Sequence, residues 1–184
     1  MIILASGSPR RRELLKLITD EFKVVVSDAD ESLKSVTTPK ETVEILSQRK
    51  AESVLKLVNF QNDIIIAADT VVAINNEILG KPENRDNAFE MLKKLSGKVH
   101  SVYTGVTVIK NEINKVFSVK SEVEFFELSD SEIECYLDTG EYADKAGSYG
   151  IQGYGALFVK SINGDYNNIV GLPVSTLSRV LKKM

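Results

Sequence analysis

Short apolar runs alternate along the chain with stretches whose apolar residues recur at helical spacing. Residues 2–5 and 63–74 are apolar on both alternating faces, which indicates strands that are covered on two sides. Residues 22–26 predict a short strand. Residues 99–109 and 115–128 predict two long strands joined by a polar turn, and the alternation in the second indicates that one of its faces is wet.

Capping signals between these strands mark the helix starts. Thr38 and Ser129 each stand three residues before a glutamate and so form a capping box, and Pro9 suits the first turn of a helix. Helices are predicted from Pro9, over about 20 residues from Pro39, over 84–95, from Ser129 to Gly140 and after Pro173. The alternation of strands and helices predicts an α/β fold with a mixed, twisted sheet flanked by helices.

The region before the last helix predicts a β-hairpin. Residues 156–162 are expected to form one strand and residues 166–170 the returning strand. Asn163 and Gly164 between them have the composition of a tight turn.

Composition narrows the classes of protein that the chain can represent. It has 184 residues, of which 43% are hydrophobic, and this is enough for a sizeable core. The net charge of -3, from 23 Lys and Arg against 26 Asp and Glu, argues against general binding of nucleic acid polymers. A single cysteine excludes an intrachain disulfide, and no window reaches the roughly 18 apolar residues of a membrane span. We therefore expect a cytoplasmic protein without a membrane partner.

Two residues whose side chains are often catalytic are expected to have no catalytic role here. Cys135 falls on a predicted helix and should only pack there, because no histidine nearby would activate its thiol. His100, the single histidine, is expected to precede a strand and to be incidental.

Three arginines follow the first predicted strand, where a helix start disfavours cations. In Ser6-Gly7-Ser8-Pro9-Arg10-Arg11-Arg12, Ser8 can cap the helix, so the arginines fall beside the positive end of the helix dipole. An outside anion would stabilise them, and a polyphosphate is the natural candidate. The alternative is that the three side chains are simply solvated.

Asp69 is the strongest catalytic candidate. It interrupts an apolar strand, where an ionised carboxylate is costly unless a cation, a metal or hydrogen bonds compensate it. The alternative is that it only accepts from backbone amides at a bulge. Lys50 falls within the apolar stripe of the long predicted helix, so it either extends to the edge of the core or reaches a ligand phosphate.

Three further segments carry candidate binding residues. Asp28, Asp30 and Glu31 could bind a divalent cation or form an ordinary solvated turn. In Gly80-Lys81-Pro82 the glycine lets the backbone approach a ligand closely, and Lys81 supplies a cation. The glycine-rich segment, residues 140–155, has five glycines and three tyrosines and either covers a flat ligand or acts as a linker. Gln152 within it could donate to and accept from a base edge.

These pieces, in this order, resemble the Maf family of nucleoside triphosphate pyrophosphatases over essentially the whole chain. The resemblance implies a single Maf-like domain over residues 1–184, with a Maf/ITPase-like fold of two lobes around a central cleft. It also implies hydrolysis of a nucleoside triphosphate to the monophosphate and pyrophosphate with a divalent metal. The motifs that carry it are Ala5 to Arg11, Lys50-Ala51, Ala68-Asp69-Thr70, Gly80-Lys81-Pro82, Asp144 to Gly147 with Gln152-Gly153, and Val170 to Pro173.

The resemblance assigns roles to individual residues. Asp69 matches the family's general base. Arg10, Thr70 and Gln152 match the positions that separate the branch active on dTTP and UTP from the branch that hydrolyses 7-methyl-GTP, and all three fall on the pyrimidine side.

Hydrolysis between the α and β phosphates also needs positive charge where negative charge accumulates. We expect Arg10, Arg11, Lys50 and Lys81 to supply it, with Mg²⁺ or Mn²⁺ shared between phosphate oxygens and Glu31 or Asp69. Ser6, Ser8 and Thr70 are expected near Gln152, beside the base.

Alternative functions remain at this point. Modified pyrimidine nucleotides extend the expected substrate range, whereas a purine or 7-methyl-GTP pyrophosphatase would use the same chemistry on another base. A nucleotide-sensing regulator of cell division would bind without turnover. A homodimer is a further possibility, because Tyr103, Phe126 and Tyr142 could form a surface between copies or belong to the core.

Overall fold

The computed structural model describes residues 1–33, 37–58 and 63–184. These residues form seven strands and six helices. The strands are β1 (Ile2–Leu4), β2 (Phe22–Val24), β3 (Ile64–Ile74), β4 (Glu77–Leu79), β5 (Val99–Lys110), β6 (Ile113–Phe125) and β7 (Val159–Asn163). The helices are α1 (Pro9–Lys16), α2 (Pro39–Leu57), α3 (Arg85–Leu95), α4 (Asp130–Asp138), α5 (Tyr166–Val170) and α6 (Val174–Leu181).

The strands form one mixed sheet in the order β2-β1-β3-β5-β6-β7, with β4 also paired to β3. β1 runs parallel to β2 and β3, and the remaining pairs are antiparallel. The predicted α/β fold with a mixed sheet flanked by helices is therefore confirmed.

Helices cover the sheet on both faces, and each face has its own apolar core. α2 packs on one face through Ala51 and Val54, which meet Ile65 and Ala67 of β3. The larger core lies on the opposite face and includes Leu15, Ile66, Leu92, Phe125, Ile133 and Leu177. Successive β3 residues therefore enter different cores, as the apolar character of both its faces predicts.

The edge of β3 that faces β1 has a break in its pairing. β1 pairs with Ile64–Ile66 and β4 with Val72–Ile74, while β5 pairs with Ile64–Ala73 along the opposite edge. Between β1 and β4 the described residues place no strand beside residues 67–71. Open α/β sheets bind ligands where neighbouring strands diverge in this way, at the carboxyl end of a parallel strand.

The predicted capping signals are confirmed. The Ser8 side chain accepts from the Arg11 amide, and Thr38 and Ser129 form complete capping boxes with Glu41 and Glu132. These local interactions fix where α1, α2 and α4 begin.

The predicted hairpin near the C-terminus is wrong in its second half. The chain does turn at Gly164, which has a φ of 129°. Asp165 then caps α5 by accepting from the Asn167 amide at 2.8 Å, so residues 166–170 form a helix instead of a returning strand. The strand before the turn starts at Val159, later than predicted, because Tyr154–Phe158 form a 3₁₀ helix.

Two residues dismissed from the sequence have different surroundings from those expected. His100 lies inside β5 and is buried, with Nε2 2.8 Å from the Tyr149 hydroxyl. Cys135 is exposed on α4 and does not pack into the core. Period-based reasoning places both on the correct element or its border but cannot predict the neighbours that arrive from elsewhere.

Candidate active site

A cleft of about 980 Å³ opens at the break in the edge of β3. Its walls come from the loop after β1 and the start of α1, from the middle of α2, from β3, and from the glycine-rich segment together with the end of α5. All the site residues predicted from the sequence line this one cleft: Ser6, Ser8, Arg10, Arg11, Glu31, Lys50, Asp69, Thr70, Lys81 and Gln152.

Lys50 joins two carboxylates on one side of the cleft. Its Nζ lies 2.6 Å from Oδ1 of Asp69 and 2.9 Å from Oε1 of Glu31. The side chains of Lys50 and Asp69 are 14% and 11% exposed, whereas that of Glu31 is 64% exposed. The ion pair thus compensates the charge that Asp69 places in an apolar strand. A ligand phosphate can still approach from the cleft.

The loop that carries Glu31 is fastened to α2. Nη1 of Arg49 donates to the carbonyls of Asp30 and Ser32 at 3.1 and 2.6 Å. The Ser53 hydroxyl, one helical turn further along α2, donates to Asp28 at 2.7 Å. The predicted acidic turn is therefore held beside Lys50, with Glu31 facing the cleft.

Arg11 lies in the cleft on the side opposite Lys50. Its guanidinium donates to the carbonyl of Gly171 at 2.9 Å, to the Ser6 hydroxyl at 3.3 Å and to the Thr70 hydroxyl at 3.1 Å. Burial lowers the pKa of Arg11, and the negative charge of Asp69 opposes this shift. The side chain still carries its charge at neutral pH because free arginine titrates far above that range.

The glycine-rich segment forms the wall across from α1. Arg10 faces it, with Nη1 3.9 Å from a carboxylate oxygen of Asp144. Within the segment, the Glu141 carboxylate accepts from the amides of Tyr154 and Gly155 at 2.8 and 3.3 Å. These bonds fold the chain back on either side of Gln152, which is exposed to the cleft.

Tyr149 anchors the same segment in the core. Its ring packs edge-on against Phe125 and His100, with centroid separations of 4.7 and 5.4 Å. Two residues before Tyr149, the Gly147 amide donates to the Gly80 carbonyl at 3.0 Å, which ties the segment to the loop carrying Lys81.

Sequence reasoning missed the residues that support this site from behind. Thr104 and Asn168 are fully buried and connect to Thr70 by hydrogen bonds, and Glu141 organises the glycine-rich segment. A signal existed for Thr104, because a hydroxyl that falls on a long central strand must find a partner where the strand is buried. No local signal pointed to Asn168, since its segment was predicted as a strand.

The combined geometry suits an elongated anion. A carboxylate accompanied by an ammonium group stands on one side, and arginines stand on the other. A polyphosphate in the cleft would therefore meet cations along its length.

The model of the family described as "Maf-like protein" matches residues 1–184 of the chain. The chain belongs to the Maf family. A dTTP/UTP pyrophosphatase from Bacillus cereus (strain G9842) is 49% identical over 182 residues, which are 99% of this chain and 94% of the relative. A protein of the same name from Latilactobacillus sakei subsp. sakei (strain 23K) is 48% identical over 99% of both chains. The resemblance stated from the motifs is thereby confirmed for the family.

A solved structure with little sequence similarity shares the fold of this Maf protein. The structure of the Staphylococcus aureus Ham1 protein superposes with a TM-score of 0.57 at 15% identity and covers 99% of this chain and 98% of that chain. At this level of identity the likeness concerns the fold alone. In the parts of the Maf chain that the structure describes, every helix is too short or too polar to cross a bilayer.

Proposed function

We propose that this chain is a nucleoside triphosphate pyrophosphatase that converts dTTP and UTP to the monophosphate and pyrophosphate. The observation that carries the proposal is the Asp69–Lys50 pair facing Arg10, Arg11 and Lys81 within one cleft. Relatives that match 99% of this chain carry the name dTTP/UTP pyrophosphatase, which supports the same reaction.

In this proposal Asp69 orients a water molecule toward the α phosphorus and takes its proton. Lys50 keeps the carboxylate in place at 2.6 Å and offsets its charge. Arg10, Arg11 and Lys81 bind the phosphate oxygens, on which negative charge accumulates as the bond to the leaving pyrophosphate breaks.

The base is read by the glycine-rich segment. Gln152 offers one donor group and one acceptor to the edge of a pyrimidine, and the loop from Ser6 to Ser8 lies in the same cleft. Thr70, on β3, lines the same cleft, and its hydroxyl is engaged with Arg11 and Thr104.

The donor groups of the cleft fit a hard divalent cation. Oxygens of Glu31 and Asp69 both contact the Lys50 ammonium, so the two carboxylates stand close enough to share a cation. Among the described residues no cluster of three or more acidic, histidine or cysteine ligands exists. Two carboxylates completed by substrate phosphates are, however, the usual way in which proteins hold Mg²⁺. Glu31 and Asp69 would therefore hold Mg²⁺ or Mn²⁺. Once bound, the metal would neutralise phosphate charge.

A nucleotide panel with Mg²⁺ or Mn²⁺ tests the proposal. Purified protein should release pyrophosphate from dTTP and UTP at least about tenfold faster than from ATP, GTP or 7-methyl-GTP, a difference of about 1.4 kcal/mol. Release of inorganic phosphate, or a preference for purines, would contradict it. Nucleotide binding without turnover would indicate a sensor.

Gln152→Glu tests how the base is selected. The carboxylate lacks the amide donor, so the preference for dTTP over purines should fall by about tenfold or more. Glu83→Gln is the control, because Glu83 lies outside the residues that line the cleft. An unchanged selectivity in Gln152→Glu would remove this residue from base recognition.

A further inference from the structure

A series of hydrogen bonds leads from Arg11, through Thr70 in the wall of the cleft, into the core. Arg11 Nη2 lies 3.1 Å from the Thr70 hydroxyl, and this hydroxyl lies 2.9 Å from that of Thr104. The Thr104 hydroxyl lies 2.8 Å from the main-chain carbonyl of Asn168. Thr104 and Asn168 are both inaccessible to solvent.

The direction of each bond in this series is fixed by its far end. A carbonyl only accepts, so Thr104 uses its single hydroxyl proton on Asn168. Thr104 can then only accept from Thr70, which in turn uses its own proton and leaves its lone pairs for Arg11. Because an arginine only donates, the series presents to Arg11 the acceptor that its guanidinium needs.

The hydrogen-bond series ends at a fixed point, because α5 is bonded to the sheet. The Asn168 side chain donates to the carbonyl of Val102 at 3.1 Å and to the Ser121 hydroxyl at 3.0 Å. Ser121 also donates to the carbonyl of Asp165, at the start of α5. The Gly171 carbonyl at the end of α5 accepts directly from Nε of Arg11. Two routes therefore connect Arg11 to the same helix.

We infer that Thr104 is a positioning residue for substrate phosphates. It acts through Thr70 to hold the Arg11 guanidinium in one orientation, while α5 supplies the fixed acceptors. This role rests on the proposed function, in which Arg11 binds phosphate oxygens. Without the Thr104 hydroxyl, Thr70 has no acceptor for its proton on that side and no longer presents only lone pairs to Arg11.

Thr104→Val tests the inference, because valine keeps the shape of the side chain and lacks the hydroxyl. The KM for dTTP and the Kd for inorganic pyrophosphate, measured by calorimetry, should both rise about tenfold, as expected for weakening one hydrogen bond to a charged group. The kcat should change by less than about threefold, since binding of the phosphates is what is lost. Thr104→Ser should restore both constants to within about twofold.

Thr107→Val is the matched control. Thr107 lies on the same strand, is equally buried, and forms the same kind of bond, 2.9 Å to the Ser47 hydroxyl of α2. It faces away from Arg11, so its loss should lower stability without changing KM or the Kd for pyrophosphate. If Thr104→Val fails to fold, Thr104→Cys takes its place, with a smaller rise in both constants because a thiol is a weak donor.

The outcomes separate this inference from the proposed function. Equal effects of Thr104→Val and Thr107→Val on KM and on the Kd for pyrophosphate would overturn the positioning role. An absence of rescue by serine would do the same. If the wild-type chain binds pyrophosphate but hydrolyses no nucleotide, the proposed function fails while the binding comparison still decides the role of Thr104. If it binds no pyrophosphate, both fail.

Discussion

Lys50 and Asp69 meet at 2.6 Å between the buried face of α2 and the middle of β3, at the one stretch of β3 whose edge is left open by the described strands. Burying either charge without the other would cost free energy of folding. Their contact therefore explains both anomalies of the sequence, a lysine on an apolar stripe and an aspartate in an apolar strand.

Asp69→Asn should abolish most turnover while nucleotide binding survives. The amide cannot take a proton from water, and loss of a general base typically costs about 10² to 10⁴ in rate. Pyrophosphate release and calorimetric binding of dTTP measure the two effects. Asp63→Asn is the control, because Asp63 pairs with the N-terminal amine at 2.9 Å and lies outside the cleft. Residual turnover above about a tenth of wild type would exclude Asp69 as the base.

Lys50 and Asp69 should be strongly coupled in stability. A double-mutant cycle with Lys50→Met and Asp69→Asn should give a coupling energy of about 1 to 3 kcal/mol in the free energy of unfolding, because the pair is shielded from solvent. The exposed pair of Lys16 and Glu13, at 2.8 Å, is the reference and should give under about 0.5 kcal/mol. Equal values from the two cycles would contradict the buried character of the site.

Acid should destabilise the protein through His100. Burial lowers the pKa of His100 to about 4, whereas the imidazole of the unfolded chain titrates near 6.5. The unfolded chain thus binds this proton first. The contribution of neutral His100 to stability is complete above about pH 6.5 and is lost as the pH falls toward 4. Denaturant unfolding should show a loss of about 3 kcal/mol from this group between pH 7 and pH 4.

His100→Gln isolates this contribution from that of the carboxylates. The glutamine amide can still bond the Tyr149 hydroxyl but does not titrate. The pH dependence of its unfolding free energy should be shallower than that of wild type by the same amount. If the unfolding free energies of the two proteins change equally with pH, protonation of His100 does not destabilise the folded state.

Gly153→Ala should impair the cleft, and Gly80→Ala should not. A Cβ at position 153 would lie 2.0 Å from a carboxylate oxygen of Glu141, the acceptor that folds the glycine-rich segment around Gln152. No atom lies within 4 Å of the corresponding position at Gly80, in the same cleft. The KM for dTTP should rise about tenfold or more in Gly153→Ala and stay within about twofold in Gly80→Ala. Equal KM values would mean that the segment tolerates displacement of Glu141.

Helix starts and buried strands could be predicted because their causes are local. The caps at Ser8, Thr38 and Ser129 depend on residues within three positions of each other, and the apolar faces of β3 depend on a period of two. The hairpin was mispredicted for the same reason. Asn163 and Gly164 do signal a turn, but whether residues 166–170 continue as strand or helix is decided by Asp165 and by the bonds of Asn168 to distant strands.

The sequence alone determined which side chains favour a partner of opposite charge: an aspartate in an apolar strand, a lysine on an apolar stripe and arginines at a helix start. Only the tertiary structure decided which residues are those partners. The Lys50–Asp69–Glu31 cluster joins three separate elements, and one acceptor of Arg11 is the Gly171 carbonyl at the end of α5, 160 residues away. Such contacts depend on the order of strands in the sheet and on the break along β3, which no local pattern encodes.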